Sequence, residues 1–229
     1  MADKDMGIID DGYGFIDAAV HFQQLMMIYE SAAKMVETRV EILHQEFRVK
    51  GVHCPIESVK SRVKKPQSIA RKLMKAGIEV SFESIEKNLN DVAGVRIICP
   101  YISDVYTVRN LLCAQKDIKM VAEKDYIKNP KESGYRSLHL LAEVSVQLSD
   151  GERPIHVEIQ IRTISMDSWA TVEHNLRYKA DSANVTEEAV KHLKECAEKL
   201  AEIDNVLESV ARQIQPDEYS YDWTEIAAT

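Results

Sequence analysis

Residues 157–162, Val-Glu-Ile-Gln-Ile-Arg, alternate apolar and polar side chains, and this pattern predicts a β-strand with one buried face. Successive side chains of a strand point to opposite faces, so the polar residues share one face. They are His156, Glu158, Gln160 and Arg162. A carboxylate, an amide and a guanidinium cost free energy when they are buried without partners, so we expect this face to line a polar cleft. An ordinary solvated sheet face is the alternative that this stretch alone leaves open.

The segments around this strand predict an α/β fold of the α+β kind, in which helices flank a mixed sheet. Further strands are expected over residues 95–99, 118–126 and 137–148, and Ser149-Asp150-Gly151 predicts a hairpin into a strand over residues 154–162. Helices are expected over residues 15–50, 67–76, 102–114, 165–178 and 186–215, and the chain after Pro216 is expected to be a loose tail.

The long N- and C-terminal helices each carry a heptad-like apolar stripe. The first stripe consists of Tyr29, Ala33, Val36, Val40, Leu43 and Phe47. The second consists of Ala189, Leu193, Cys196, Leu200, Ile203, Leu207, Val210 and Ile214. Such stripes pack against another apolar surface. Three partners are open for them: the helix's own domain, the other long helix, and another copy of the chain.

The composition is typical of a soluble globular protein, with 45% hydrophobic and 29% charged residues. A net charge of −8 argues against a general nucleic-acid binder. The N-terminus lacks the apolar segment of a secretory signal and no apolar run is long enough to span a bilayer, so we expect a cytoplasmic protein without a membrane partner. The four cysteines lack the spacing of a zinc or redox motif, and we interpret them as small buried hydrophobes.

Asp91 directly precedes the predicted strand that contains Arg96. A carboxylate at the start of a strand can reach a metal ion at the sheet edge. Two carboxylates from different strands are a usual way to hold Mg²⁺ beside phosphates, so we consider Asp91 together with Glu158. A turn or capping role is the alternative for Asp91.

Residues 131–139 place one aromatic side chain among cationic groups. Gly134 permits a tight turn, and Tyr135 is flanked by Lys131, Arg136 and His139. Such a group suits a purine nucleotide, because the base can stack on the ring while the cations hold the phosphates. The alternative is that Tyr135 is an ordinary core residue.

The segment from Lys60 to Lys75 contains seven basic residues and no acidic one. Part of it is predicted to be helical, and a helix N-terminus favours anions. A cluster of this density, together with Mg²⁺, could neutralise two bound nucleotides, although a solvated basic face is the more common fate of such a run. The glycine-rich loops of P-loop proteins and of dinucleotide-binding folds are both absent.

Taken together, these segments resemble the synthetase domain of the RelA/SpoT family. The resemblance covers roughly residues 55–180 and rests on motifs within residues 61–73, 91–96, 124–131, 134–139 and 157–163. It implies a nucleotidyltransferase-like mixed sheet. It also divides the chain into an N-terminal helical extension (1–54), a (p)ppGpp synthetase domain (55–180) and a C-terminal helix and tail (181–229).

The resemblance further implies a reaction, in which the β,γ-pyrophosphate of ATP passes to the 3′-hydroxyl of GDP or GTP to give AMP and (p)ppGpp. Asp91 and Glu158 would hold Mg²⁺, and Glu158 would also be the general base. The ATP side would comprise Arg62, Lys64, Ser68, Lys72, Lys75 and Arg96. The GDP/GTP side would comprise Lys124, Lys131, Tyr135, Arg136, His139 and Gln160.

The chain resembles the small alarmone synthetases of this family, because 229 residues leave no room for the hydrolase and regulatory domains of the long members. Its overall pattern is closer to the RelP branch than to RelQ. Small alarmone synthetases are typically homotetramers joined through their terminal helices, which favours assembly as the role of the two stripes. In one branch an aromatic residue and basic residues bind pppGpp as an activator. Ser58, Glu37 and Glu41 fall in that region here, so we do not expect activation by pppGpp.

Two other functions fit parts of the pattern. A catalytically weak domain of the same fold would bind guanine nucleotides or single-stranded RNA as a regulatory module, but the intact pair of Asp91 and Glu158 argues against it. A related nucleotidyltransferase acting on RNA ends would release pyrophosphate rather than AMP.

Overall fold

Five strands form one mixed sheet in the computed structural model, which describes residues 4–179 and 186–216. The strands are β1 (Ser58–Val63), β2 (Ala93–Cys99), β3 (Ile118–Asp125), β4 (Leu138–Leu148) and β5 (Gly151–Thr163), in the spatial order β1-β2-β5-β4-β3. The β2–β5 pair is parallel, and the other neighbouring strands are antiparallel. The predicted α/β (α+β) class with a mixed sheet is confirmed.

Six helices surround the sheet in the described residues. They are α1 (Lys4–Lys50), α2 (Pro66–Lys75), α3 (Phe82–Asn88), α4 (Ile102–Cys113), α5 (Ile164–Lys179) and α6 (Glu187–Ile214). The predicted helices are confirmed, although α1 begins well before residue 15. The predicted loose tail after Pro216 lies outside the described residues. No helix within the described ranges is both long and apolar enough to cross a membrane.

Two elements have no counterpart in the sequence prediction. The edge strand β1 lies within the segment that was interpreted only as basic, because its charged residues hide the alternation of Val59 and Val63 with Lys60 and Arg62. The short helix α3 is marked only by a capping residue, Ser81, whose side chain accepts a hydrogen bond from the backbone N–H of Ser84.

The apolar stripe of α1 packs against one face of the sheet. All six of its predicted residues are buried, and Val36 and Val40 are at most 1% exposed. Opposite them, the inward-facing side chains of the central strands, such as Val95, Ile97 and Ile159, complete the core. Because α1 packs on this face, the opposite face of the sheet is the one available for a site.

Helix α6 meets the domain with part of the apolar stripe that the sequence predicted. Leu193 and Leu200 of the stripe are half-buried against Trp169, Ala170 and Ala197. The most buried residues of α6 are Ala197, Asp204 and Ala211, whereas Ile203 and Leu207 are 48% and 50% exposed. Of the three partners that the sequence left open, the helix's own domain is therefore confirmed for the first part of the stripe, and the second part is exposed in the single chain.

The prediction of buried cysteines is confirmed for Cys99 but wrong for Cys113 and Cys196, which are exposed, while Cys54 is half-buried. Cys113 is the last residue of α4, so the helix end carries it out of the core. Cys196 lies on the exposed side of α6, next to the buried Ala197.

Candidate active site

Polar side chains form two rows across the face of the sheet that α1 leaves free. Strand pairing places Arg62, Gly94 and Glu158 in one row, on β1, β2 and β5. The next row contains Lys60, Arg96, Gln160, His139 and Lys124, and so crosses all five strands. The alternation in residues 157–162 is confirmed, since Val157, Ile159 and Ile161 are fully buried on the other face. The sequence therefore located the correct face of β5.

A cavity of about 430 Å³ opens over these rows, a volume within the range of small-ligand sites. Charged and polar residues predominate in its lining. They are Lys60, Ser61 and Arg62 of β1, Asp91 before β2, Arg96 of β2, Glu158 and Gln160 of β5, and Asp167 and Thr171 of α5. Gly94 lies at its floor, where a side chain would contact Arg62 at 3.8 Å. Three cationic side chains thus share the lining with the carboxylates of Asp91, Glu158 and Asp167, and such a mixture suits a polyphosphate bound with a cation.

Asp91 lies just before β2 and contacts two lysines of the basic segment. Its Oδ2 atom is 2.5 Å from Nζ of Lys64 and 2.8 Å from Nζ of Lys72. Burial disfavours the ionised Asp91, but the hydrogen bonds from Lys64 and Lys72 outweigh this cost, so its pKa lies below the ordinary value. The other oxygen, Oδ1, is buried and has no hydrogen-bond partner among the described residues.

Glu158 lies at the centre of the cavity, with both carboxylate oxygens contacted. Oε1 is 3.4 Å from Nδ1 of His139, and Oε2 accepts a hydrogen bond of 2.8 Å from Nε2 of Gln160. Burial and the charge of Asp91 raise the pKa of Glu158, but His139 and Gln160 lower it further, and it lies below the ordinary value. Because Asp91 influences Glu158 electrostatically, the two carboxylates form one local anionic site.

The donor set fits a divalent cation that is bound together with phosphates. Two carboxylates from neighbouring strands supply hard oxygens, and the unpartnered Oδ1 of Asp91 is free to become a ligand. No group of three or more His, Cys, Asp or Glu residues that could hold a metal occurs in the part of the chain that the structure describes. A metal at this site would therefore need oxygens from the substrate or from water to complete its shell.

Arg162, which is only 4% exposed, joins Tyr135 and Gln160 to helix α5. It donates hydrogen bonds to Tyr135 Oη at 2.6 Å, to Gln160 Oε1 at 2.9 Å and to Asp167 Oδ1 at 3.0 Å. Asp167 also pairs with Arg96 at 3.2 Å. Sequence reasoning did not assign Asp167 a role. Its position in the first turn of a helix that follows the polar strand is the signal that could have found it.

Tyr135 lies among cations, as the sequence predicted. Its hydroxyl is 2.7 Å from Nε2 of His139, and its ring centroid is 4.8 Å from Nζ of Lys131 and 5.2 Å from the guanidinium carbon of Arg162. Lys131 also lies 4.5 Å from the ring centroid of Tyr126. The turn thus combines aromatic faces with positive charge.

Helix α6 contacts the turn that carries Tyr135. Arg136 donates hydrogen bonds to the carbonyl oxygens of Gly134, at 3.2 Å, and Ala197, at 3.1 Å. Trp169 of α5 donates to the carbonyl oxygen of Leu193 at 2.8 Å, one turn before Ala197. The structure therefore directs Arg136 towards α6 and not towards the cavity.

Three other predicted residues lie at the margin of the site. Ser68 is exposed near the start of α2, Lys75 is exposed in its last turn, and Lys124 is exposed on β3 at the far end of the second row. None of them lines the cavity. Through the cavity and the contacts above, the structure brings together ten residues of the predicted set: Arg62, Lys64, Lys72, Asp91, Arg96, Lys131, Tyr135, His139, Glu158 and Gln160.

Comparison with known proteins agrees with this geometry. The family described as "Region found in RelA / SpoT proteins" matches residues 61–183. The GTP pyrophosphokinase YwaC of Bacillus subtilis (strain 168) is 41% identical over 189 residues, which cover 82% of this chain and 90% of YwaC. The GTP pyrophosphokinase YjbM of the same organism is 34% identical over 194 residues, covering 85% of this chain and 90% of YjbM.

A solved structure shares the fold along almost its whole length. The small alarmone synthetase 1 from Bacillus subtilis, in a crystal structure with its product pppGpp, matches with a TM-score of 0.79 and 34% sequence identity, covering 85% of this chain and 98% of that one. The family match spans more than half of the chain, and both relatives are similar over most of their length. The chain therefore belongs to the RelA/SpoT family and is similar to its small alarmone synthetases.

Proposed function

We propose that this protein is a GTP pyrophosphokinase, a cytoplasmic (p)ppGpp synthetase of the bacterial stringent response, with residues 55–180 as its synthetase domain. The observation that carries the proposal is the position of Asp91 and Glu158 at one cavity that cationic residues also line, with Tyr135 joined to Glu158 through His139. The names of the similar proteins YwaC and YjbM support the same activity.

On the donor side, the basic residues of β1, β2 and α2 suit a bound ATP. Arg62 and Arg96 would contact the adenine and the phosphates, while Lys64 and Lys72, already placed beside Asp91, would neutralise the phosphate charge. Ser68 and Lys75 would serve ATP from the outer side of α2. Positioning and neutralisation of charge account for most of the catalysis in phosphoryl transfer. These basic residues would therefore make the largest contribution of the protein to the reaction rate.

On the acceptor side, the ring of Tyr135 would stack on guanine. The groups beside it, Lys124, Lys131, Arg136, His139 and Gln160, would serve the ribose and phosphates of GDP or GTP. The contacts of Lys131 and His139 with Tyr135 support this assignment. Arg136 would act indirectly, through its hydrogen bonds that fix the turn at Gly134 against α6.

Glu158 would accept the proton of the 3′-hydroxyl. The oxygen so activated would attack the β-phosphorus of ATP, the bond from that phosphorus to the oxygen bridging it to the α-phosphate would break, and AMP would leave. Asp91 and Glu158 would hold Mg²⁺, and the ion would supply positive charge that offsets the charge of the phosphates. Mg²⁺ is the proposed ion because two carboxylates leave several positions for phosphate and water oxygens.

The reaction products test this proposal directly. Purified protein incubated with ATP, GDP and Mg²⁺ should produce AMP and ppGpp in equal amounts, measured by mass spectrometry. Release of pyrophosphate with an RNA acceptor would instead identify an RNA-end nucleotidyltransferase, and the absence of either product would contradict an enzymatic function.

A homotetramer joined through the terminal helices is a second part of the proposal. On α6 the stripe residues Ile203, Leu207, Val210 and Ile214 are between 43% and 73% exposed, and α1 exposes Met27, Met35 and Ile42 on its outer side. Exposed apolar surface of this kind marks interfaces. Mass photometry should show a tetramer for the wild type and smaller species for Val210→Glu, with Val121→Glu on β3 as the matched control. A wild-type monomer would contradict the assembly.

Single-stranded RNA is proposed as an additional ligand. Lys65, Arg71 and Lys75 are exposed at α2 and lie outside the cavity lining. A gel-shift with single-stranded RNA should show binding that weakens steeply with salt, because phosphate contacts release counterions. Binding that is unchanged by Arg71→Ala together with Lys75→Ala would contradict this role.

A further inference from the structure

Glu37 of α1 makes a polar contact within the otherwise apolar interface between α1 and the sheet. Its Oε1 accepts a hydrogen bond of 2.9 Å from the backbone N–H of Ser61, and its Oε2 accepts one of 2.8 Å from the Ser61 hydroxyl. Lys34 donates to Oε2 at 2.8 Å. The Glu37 side chain is 12% exposed, and the neighbours Val36 and Val40 on α1 are fully buried.

Ser61 occupies the middle of the edge strand β1. It shares the inner face with Val59 and Val63, which pack against the core, so an apolar residue would be the ordinary choice there. An edge strand exposes backbone groups that no neighbouring strand can pair. Glu37 accepts hydrogen bonds from one such group, the backbone N–H of Ser61, and from the Ser61 hydroxyl. It therefore holds β1 in place at Ser61.

The neighbour of Ser61 on the cavity side is Arg62. Because alternate residues of a strand point to opposite faces, a carboxylate that fixes Ser61 from one side also fixes the direction of Arg62 on the other. Burial disfavours the ionised Glu37, but the hydrogen bonds from Lys34 and Ser61 outweigh this cost and keep its pKa below the ordinary value. The contact is therefore a charged one at neutral pH.

We infer that Glu37 is a positioning residue for the donor nucleotide: it holds β1 so that Arg62 meets ATP in the correct place. This inference rests on the proposed function, in which β1 serves ATP and not the acceptor. Loss of Glu37 should therefore affect ATP selectively.

Steady-state kinetics of the full chain test the inference, with each substrate varied in turn. We expect Glu37→Ala to raise the KM for ATP about tenfold and to change the KM for GDP by less than about twofold, since lost hydrogen bonds and a small displacement have effects of this order. Glu37→Gln should restore most of the ATP affinity, because its amide can accept from the Ser61 N–H and donate to the Ser61 oxygen. Glu41→Ala, one turn further along α1, is the matched control and should leave both KM values unchanged.

Ser61→Ala, a smaller change, keeps the test informative if Glu37→Ala is poorly folded. It removes only the side-chain bond and should raise the KM for ATP less than Glu37→Ala. Where Glu37→Ala folds, the effects of the two substitutions should not add. Equal increases in both KM values, unchanged KM values, or a Gln variant that behaves like Ala would overturn the inference. Failure of the wild type to form AMP would count against the proposed function, so the two failures are distinguishable.

Discussion

Nδ1 of His139 lies 3.4 Å from Oε1 of Glu158, while Gln160 donates to the other carboxylate oxygen at 2.8 Å. These two neighbours come from β4 and from the same strand as Glu158, so the sheet itself orients the carboxylate. The pKa of Glu158 is below its ordinary value because His139 and Gln160 outweigh burial and the charge of Asp91. Glu158 is therefore ionised at neutral pH before any nucleotide binds.

Replacement of Glu158 by Gln should abolish most of the activity while the fold is preserved. The amide has nearly the same shape but cannot accept the proton of the 3′-hydroxyl, and loss of a general base typically lowers the rate about 10²- to 10⁴-fold. AMP formation measured over time checks this, with Glu152→Gln, an exposed position on the same strand, as the control. A rate within tenfold of the wild type would remove Glu158 from its proposed role.

Arg162→Lys should reduce both stability and activity. The guanidinium makes hydrogen bonds to Tyr135, Gln160 and Asp167 at once, and a lysine ammonium cannot reproduce this fork from a buried position. We expect a loss of about 1–3 kcal/mol in the free energy of unfolding, measured with urea. Arg153→Lys, which affects only an exposed pair with Asp150, should change it by less than about 0.5 kcal/mol. Similar losses for both variants would contradict the role of Arg162.

The sequence predicted the central strands and the long helices because their patterns are strong. Residues 157–162 alternate clearly, and the stripe of α1 matches the face that is buried. The same reasoning missed β1, since the charged residues that make it useful at the cavity also mask its alternation. Periodicity left the partner of α6 open, because a stripe shows which residues are apolar and not which surface covers them.

Individual residues of the candidate site could be predicted only where they stand within a short sequence motif. Asp91, Glu158 and Tyr135 stand within short motifs, and their placement follows from strand order. Asp167 is only five residues from Arg162, and its position in the first turn of α5 marks it. Glu37 acts across the fold, from α1 to Ser61. No local pattern marks such a long-range partner, so it emerges only when the elements are packed together.

Gly134→Ala should disturb the turn that carries Tyr135. Gly134 has φ of +88°, and an added Cβ would lie 2.7 Å from Cβ of Ala197 on α6, so both backbone strain and a clash are expected. Gly77→Ala is the matched control, because Gly77 has φ of +70° and open space around it, so only the strain applies. We expect the Gly134 variant to lose about 1–3 kcal/mol more than the control, measured by urea unfolding, and to show a higher KM for GDP. Adding Ala197→Gly should recover part of the difference, and equal effects at Gly134 and Gly77 would argue against the close contact.

The buried carboxyl of Asp204 should make stability fall as pH rises through the acid range. Asp204 is 3% exposed on α6 and accepts a hydrogen bond of 2.7 Å from Thr163, yet burial and the charge of Glu208 keep its pKa above the ordinary value of 3.8. The unfolded chain therefore ionises this group first, so its contribution is fully present below pH 3.8 and is lost as pH rises through the folded pKa. Asp204→Asn keeps an acceptor for Thr163 without a charge.

The melting temperature of the Asn variant relative to wild type should therefore increase with pH above 3.8 and then level off. Thermal unfolding at a series of pH values measures the difference, and Asp150→Asn on the exposed hairpin should show no such trend. A difference that stays constant with pH, or that decreases, would mean that ionisation of Asp204 does not destabilise the folded chain.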